Sequence, residues 1–240
     1  MLDQCLGRQR PPQAARGPAG TIPIVAWRRR GEVTWGVEAI MLSAGTCVEW
    51  LRDDLAIIDT AAHSAEVAGR CEETGDVWFV PALFGLGTPV WDFGARGMFV
   101  GLTRGTGRPE LVRAVLEGVA HRGADLLEAA EEDSGLSVGS LRVDGGMSDN
   151  PVFVQALADA CGRSIEIAPV LEATTLGAAY LAGMAVGTWA NEDDVAAAWT
   201  PRSVIEPKGT EQGRIERRTR WLDARGRSVG TIPELSALDF

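Results

Sequence analysis

The sequence predicts an α/β fold, and three observations carry that expectation. Short β-branched and aliphatic runs alternate with stretches of helical spacing, and the longest of these stretches runs from Pro109 to about Glu132. Glycines stand where strands hand over to helices. Turns of that kind at strand ends are where open α/β sheets gather their ligands. With 240 residues, 45% of them hydrophobic, the chain is long enough to bury a real core as one large domain or two small ones.

Charge and composition exclude several classes of partner. The formal net charge of −10 argues against nucleic acid or an anionic membrane, both of which select basic surfaces. Cys5, Cys47, Cys71 and Cys161 lie far apart without a CxxC pair, and neither His63 nor His121 has a cysteine nearby. No zinc site or disulfide framework is expected, and no protein-held metal; reduced thiols in a cytoplasmic protein fit better. The longest apolar run, Leu176 to Trp189, is too short to span a membrane and is broken by glycines. No basic-then-apolar leader opens the chain.

In order, residues 1–20 read as an irregular start rich in Gly, Pro and Arg. Thr21 to Trp27 and Glu32 to Ile40 predict two strands, with Arg28-Arg29-Arg30-Gly31 as a solvated hairpin turn. After Ser43-Ala44-Gly45-Thr46 comes a helix with Val48, Leu51 and Leu55 on one side. A weakly amphipathic helix follows over Ala61 to Glu72, then strands over Asp76 to Leu83 and Met98 to Leu102. A glycine-rich connection, Phe84 to Arg96, joins those strands. The long helix buries Val112, Val115, Leu116, Val119, Leu126 and Leu127 and ends before Gly135. Its terminal Glu131-Glu132-Asp133 reads as a solvated cluster.

The chain is organised around Leu141 to Pro151. A short strand ends at Asp144, two glycines follow, and a helix begins at Pro151 with Asn150 as its N-cap. Val154, Leu157, Ala158 and Cys161 then fall on one face. Glycines let a ligand approach the backbone, and the free N–H groups opening the helix would favour an anion such as phosphate. Beyond it, Ser164 to Ala168 predicts a strand, and Leu176 to Val186 a helix of small residues closed by Gly187 and packed closely on a neighbour. Glu192 to Trp199 and Gly213 to Ala224 read as surface helices, and residues 225–240 as a loosely held tail.

Several motifs in this order resemble the C-terminal domain of the FGGY carbohydrate kinases. Gly97, Phe99, Gly101 and Leu102, followed after a spacer by Glu110, Leu111 and Ala114-Val115-Leu116-Glu117, are similar to the family's C-terminal signature. Trp91-Asp92, Ala95-Arg96-Gly97, Leu102-Thr103-Arg104-Gly105-Thr106, Asp144-Gly145-Gly146 and Thr175-Leu176-Gly177-Ala178-Ala179-Tyr180-Leu181-Ala182-Gly183 resemble its glycerol kinase branch.

The resemblance implies an actin-like ATPase, ribonuclease-H-like fold, with a mixed sheet flanked by helices and residues 21–224 as the nucleotide-binding domain. It implies ATP or ADP as ligand, with Mg²⁺ carried by the nucleotide, and glycerol or a related polyol as phosphoryl acceptor. By position, Gly45 matches a nucleotide-contacting glycine, and Gly146 with Asn150 matches a glycine–asparagine pair at the adenosine and phosphates; Gly145 belongs to the same turn. Glu49 falls where glycerol kinases often carry a glutamine beside the adenine, and a glutamate offers no amide donor there. The family's polyol-binding residues, its catalytic aspartate and a phosphate-contacting Gly-Thr pair match nothing in this chain, so no catalytic residue is assigned. The resemblance thus implies the nucleotide half of a kinase, inactive alone, and allows a homo-oligomer, since whole enzymes of the family are often dimers or tetramers. The competing expectation is a non-catalytic binding module derived from such a kinase.

Overall fold

The β-branched runs near the front of the chain pair as their alternation requires. Strands β2 (Ile22–Arg29) and β3 (Glu32–Glu38) form an antiparallel hairpin, with a register shift between Val25 and Trp27. Strand β1 (Gln4–Cys5) adds to the other side of β3, so the start of the chain is not wholly irregular. This computed structural model describes residues 4, 5, 16–29 and 31–238; the remainder of the 1–20 segment and Arg30 of the hairpin turn lie outside them.

The remaining strands make two further small sheets. Strands β4 (Trp78–Val80) and β5 (Met98–Val100) pair antiparallel. Strands β6 (Ser140–Val143), β7 (Ser164–Ile167) and β8 (Ser203–Ile205) form a mixed sheet, β6 parallel to β7 and β7 antiparallel to β8. A parallel pair needs a crossover, and helix α4 (Pro151–Cys161) supplies it.

The core gathers on helix α3 (Arg108–Ser134), whose Val112, Val115, Leu116, Val119 and Leu127 are all buried. Helices α1 (Gly45–Asp53), α2 (His63–Ala68) and α4 feed the same cluster with Cys47, Leu51, Val67, Val154 and Leu157. Helix α1 stops at Asp53, so Leu55 falls past its end and is exposed rather than buried. The acidic end of α3 is not simply solvated. Asp133 accepts from Ala19 N (2.8 Å), Thr21 N (3.0 Å) and Thr21 Oγ1 (2.6 Å), and Glu131 accepts from Val138 N (2.7 Å).

Three expectations about the C-terminal part fail. Helix α7 (Glu211–Ser228) is not a plain surface helix, because Trp221 is fully buried and Arg218 nearly so. Asp125 of α3 explains this: Arg218 Nη2 (2.7 Å) and Trp221 Nε1 (3.1 Å) both donate to its Oδ1, while Arg122 and Arg225 pair with Oδ2. The 225–240 stretch is likewise no loose tail over its described residues. Gly230 N and Ser236 Oγ donate to Asp92 (2.7 and 2.6 Å), and Ile232 N donates to Gly94 O (2.9 Å). The approach is so close that a Cβ on Gly94 would lie 2.2 Å from Ile232 O, which only glycine allows. The short helix α8 (Pro233–Ser236) is thereby held in place. Ahead of α7 in the chain, helices α5 (Ala173–Val186) and α6 (Glu192–Ala198) bury no residue, contrary to the close packing expected of α5.

Candidate functional site

The turn after β6 is built from its own backbone. Gly145 has φ of +80°, a conformation that side chains resist, and the next four residues, Gly146–Asp149, wind into a single 3₁₀ turn. Ser148 fixes the bend twice, its N–H (3.0 Å) and its Oγ (2.7 Å) both donating to Gly145 O. Gly145 N donates to Leu171 O (3.2 Å), and Asp144 Oδ2 accepts from Ala173 N (3.2 Å). These two bonds tie the turn to the start of α5.

The opening of α4 is closed to an anion, which corrects the sequence expectation. Asn150 Oδ1 accepts from Val152 N (3.0 Å) and Phe153 N (3.2 Å), Val154 N bonds to Asn150 O (3.0 Å), and Pro151 has no N–H. A good N-cap satisfies the very donors that a phosphate would have sought. The open donors lie one step earlier: among the described residues nothing accepts from the amides of Gly146 and Met147. Gly146 is exposed, and a Cβ built on Gly145 or Gly146 would meet nothing within 4 Å.

A second helix start repeats this openness. Helix α1 has Ala44 at its N-cap with no side-chain cap, and nothing among the described residues accepts from Gly45 N or Thr46 N. Alanine is a poor cap, leaving these donors and the positive end of the helix dipole free. Gly45 is exposed with open space at its Cβ position, and Glu49, one turn on, is exposed as well. Gly145, Gly146 and Asn150 therefore share one turn, whereas Gly45 and Glu49 sit on α1, joined to it through the common core on α3.

Sequence reasoning missed three contributors. The amides of Met147 and Thr46 carry no side-chain signature. Ser64 of α2 is the third: fully buried, it accepts from Asn150 Nδ2 (3.0 Å) while its own hydroxyl donates to Ala61 O (2.6 Å). Only its 86-residue separation from Asn150 concealed it.

A groove of about 640 Å³ lies elsewhere, lined by Glu72, Arg113, Glu117, Gln155, Lys208 and Arg217 among others. It contains neither glycine turn, and Arg113 and Arg217 are both paired with Glu117 at 2.8 Å. Those two cations share one carboxylate, and size alone does not make the groove the site.

Residues 6–186 match the C-terminal domain of the FGGY family of carbohydrate kinases. This chain belongs to that family. Glycerol kinase 2 of Thermotoga maritima is 42% identical over 218 residues, covering 91% of this chain and 44% of its own length. The glycerol kinase of Deinococcus radiodurans is 44% identical over 204 residues, 85% of this chain and 41% of its own. The crystal structure of Plasmodium falciparum glycerol kinase with ADP superposes with a TM-score of 0.84 at 30% identity, over 94% of this chain and 44% of that one. A ligand-bound xylulose kinase from Lactobacillus acidophilus, 21% identical, covers 89% of this chain and 42% of its own with a TM-score of 0.73, which speaks for the fold alone. The FGGY chain described here thus has the actin-like ATPase fold and spans less than half the length of the curated relatives it matches.

Proposed function

We propose that residues 21–236 form the nucleotide-binding half of an ATP-dependent, glycerol-kinase-like enzyme. That enzyme moves the γ-phosphoryl group of ATP to a primary hydroxyl of glycerol or a related polyol, which is held by the other half. Such catalysis is mainly positioning and charge stabilisation. One observation carries the reading: a Cβ on Gly145 or Gly146 would meet nothing within 4 Å, and among the described residues nothing accepts from the amides of Gly146 and Met147. Those amides, with Gly45 N and Thr46 N, receive phosphate oxygens. Asn150 and Glu49 border the nucleoside.

Mg²⁺ neutralises phosphate charge when the nucleotide brings it. Among the described residues no group of three or more His, Cys, Asp or Glu is placed to hold a metal ion. The exposed apolar face of α5 packs on the polyol-holding half.

Titrating ADP with Mg²⁺ against thermal stability tests the reading, since ligand at a hundred times its Kd adds about 2.7 kcal/mol. Gly146→Val should abolish that gain by filling the cradle. The same variant should change stability without ligand by less than about 1 kcal/mol, because its Cβ meets nothing. No stabilisation of the parent at millimolar ADP, or a Val variant that binds like it, refutes the assignment. Adding a kinase N-terminal half and assaying ADP formation with glycerol then tests transfer.

A further inference from the structure

Asn150 has four hydrogen-bonding capacities, and its surroundings fix three of them. Two backbone N–H groups point at its Oδ1, so the amide oxygen must face α4 and the amide cannot be turned over. Its Nδ2 then faces Ser64 Oγ at 3.0 Å, and Ser64 can accept there because its own proton goes to Ala61 O at 2.6 Å. One N–H of Asn150 remains, on a half-buried side chain at the end of the glycine turn.

We infer that Ser64 is a positioning residue for the nucleotide, locking Asn150 so that it presents one N–H as a donor and no acceptor. The ligand atom opposite Asn150 is therefore an acceptor: a ring nitrogen, a ribose oxygen or a phosphate oxygen. The inference rests on the nucleotide reading above and adds a residue on another helix that touches no ligand itself. Ser64 is fully buried, and α2 brings no other side-chain hydrogen bond to α4 among the described residues. The bond thus couples the position of α2 to the rotamer of a ligand-contacting side chain.

A double-mutant cycle on the full chain tests this, with ADP as the probe, calorimetric Kd as one readout and thermal unfolding as the other. Ser64→Ala removes a buried hydroxyl without adding bulk, and should weaken ADP about fivefold, the worth of one hydrogen bond. In an Asn150→Ala background the same change should leave Kd unaltered, since the side chain it orients is gone. A purely structural role would instead give equal effects in both backgrounds. Asn150→Asp keeps the cap but has no N–H to offer, and should weaken ADP tenfold or more. It tests the donor claim even if Ser64→Ala unfolds the protein. Additive effects, or an Asp variant that binds ADP like the parent, overturn the inference while leaving the nucleotide site standing. A parent chain that binds no ADP overturns the site itself, and the inference with it.

Discussion

The block of α3, α4 and α7 and the arm of α5 and α6 end in opposite environments. Helices α4 and α5 each follow a strand of the mixed sheet, and each closes on a left-handed glycine, Gly162 or Gly187. Helix α4 buries Phe153, Val154, Leu157 and Ala158 and turns Gln155 and Asp159 outward or toward polar partners. Helix α5 carries no charged residue at all, and between residues 169 and 200 no residue is buried. Leu181 is 47% and Val186 81% exposed. The difference teaches that an apolar stripe names the face that packs, whereas a helix apolar all round needs neighbours on several sides. On the proposed reading those neighbours belong to the polyol-holding half.

The buried block should respond most strongly to loss of Asp125. Its carboxylate is completely buried and pairs with Arg122, Arg218 and Arg225. Burial alone would raise its pKa, but the three guanidinium groups outweigh that and hold it below the ordinary carboxylate value. Asp125→Ala strips Arg122 and Arg225 of their carboxylate, leaves Arg218 with Glu128 alone, and should cost about 3–5 kcal/mol in urea unfolding. A loss under 1 kcal/mol would mean that the ion cluster does not hold α7.

The next test sets one helix against the other. Leu157→Ala in α4 opens a core cavity and should cost about 2–5 kcal/mol. Leu181→Ala in α5 should stay within about 0.5 kcal/mol in the chain alone. Equal losses by urea denaturation would break the comparison, because α5 would then be packed in solution.

The smallest effect concerns pH. His121 of α3 is nearly fully buried between Trp78 and Trp221, and among the described residues its Nδ1 has no hydrogen-bond partner. Burial, reinforced by Arg218 and Arg217 and opposed by Asp125, pushes its pKa down from 6.5 to about 3. Between those values the unfolded chain holds a proton that the folded chain refuses. His121 therefore subtracts nothing above pH 6.5, and stability falls as pH drops below it, by up to about 1.4 kcal/mol per unit. Urea midpoints at pH 6.5 and 4.5 should show this loss in the parent. His121→Phe should flatten it, and an unchanged slope would show that His121 titrates freely.

Much of the frame was legible in the sequence because its signals are local. Asn150 and Pro151 announced where α4 starts, Gly135 where α3 stops, and the spacing of Val154, Leu157 and Ala158 which face would be buried. The family followed from motifs that are likewise short and contiguous. Tertiary structure decided what depended on distant partners. Asp125 and Arg218 stand 93 residues apart, so a helix expected at the surface buries its Arg218 against α3. The same holds at the candidate site, where glycines marked the bend but only the folded backbone determined which amides Asn150 satisfies and which it leaves open. A residue type fixes the groups a position carries, whereas hydrogen-bond partners brought from elsewhere in the chain fix which of those groups remain available to a ligand.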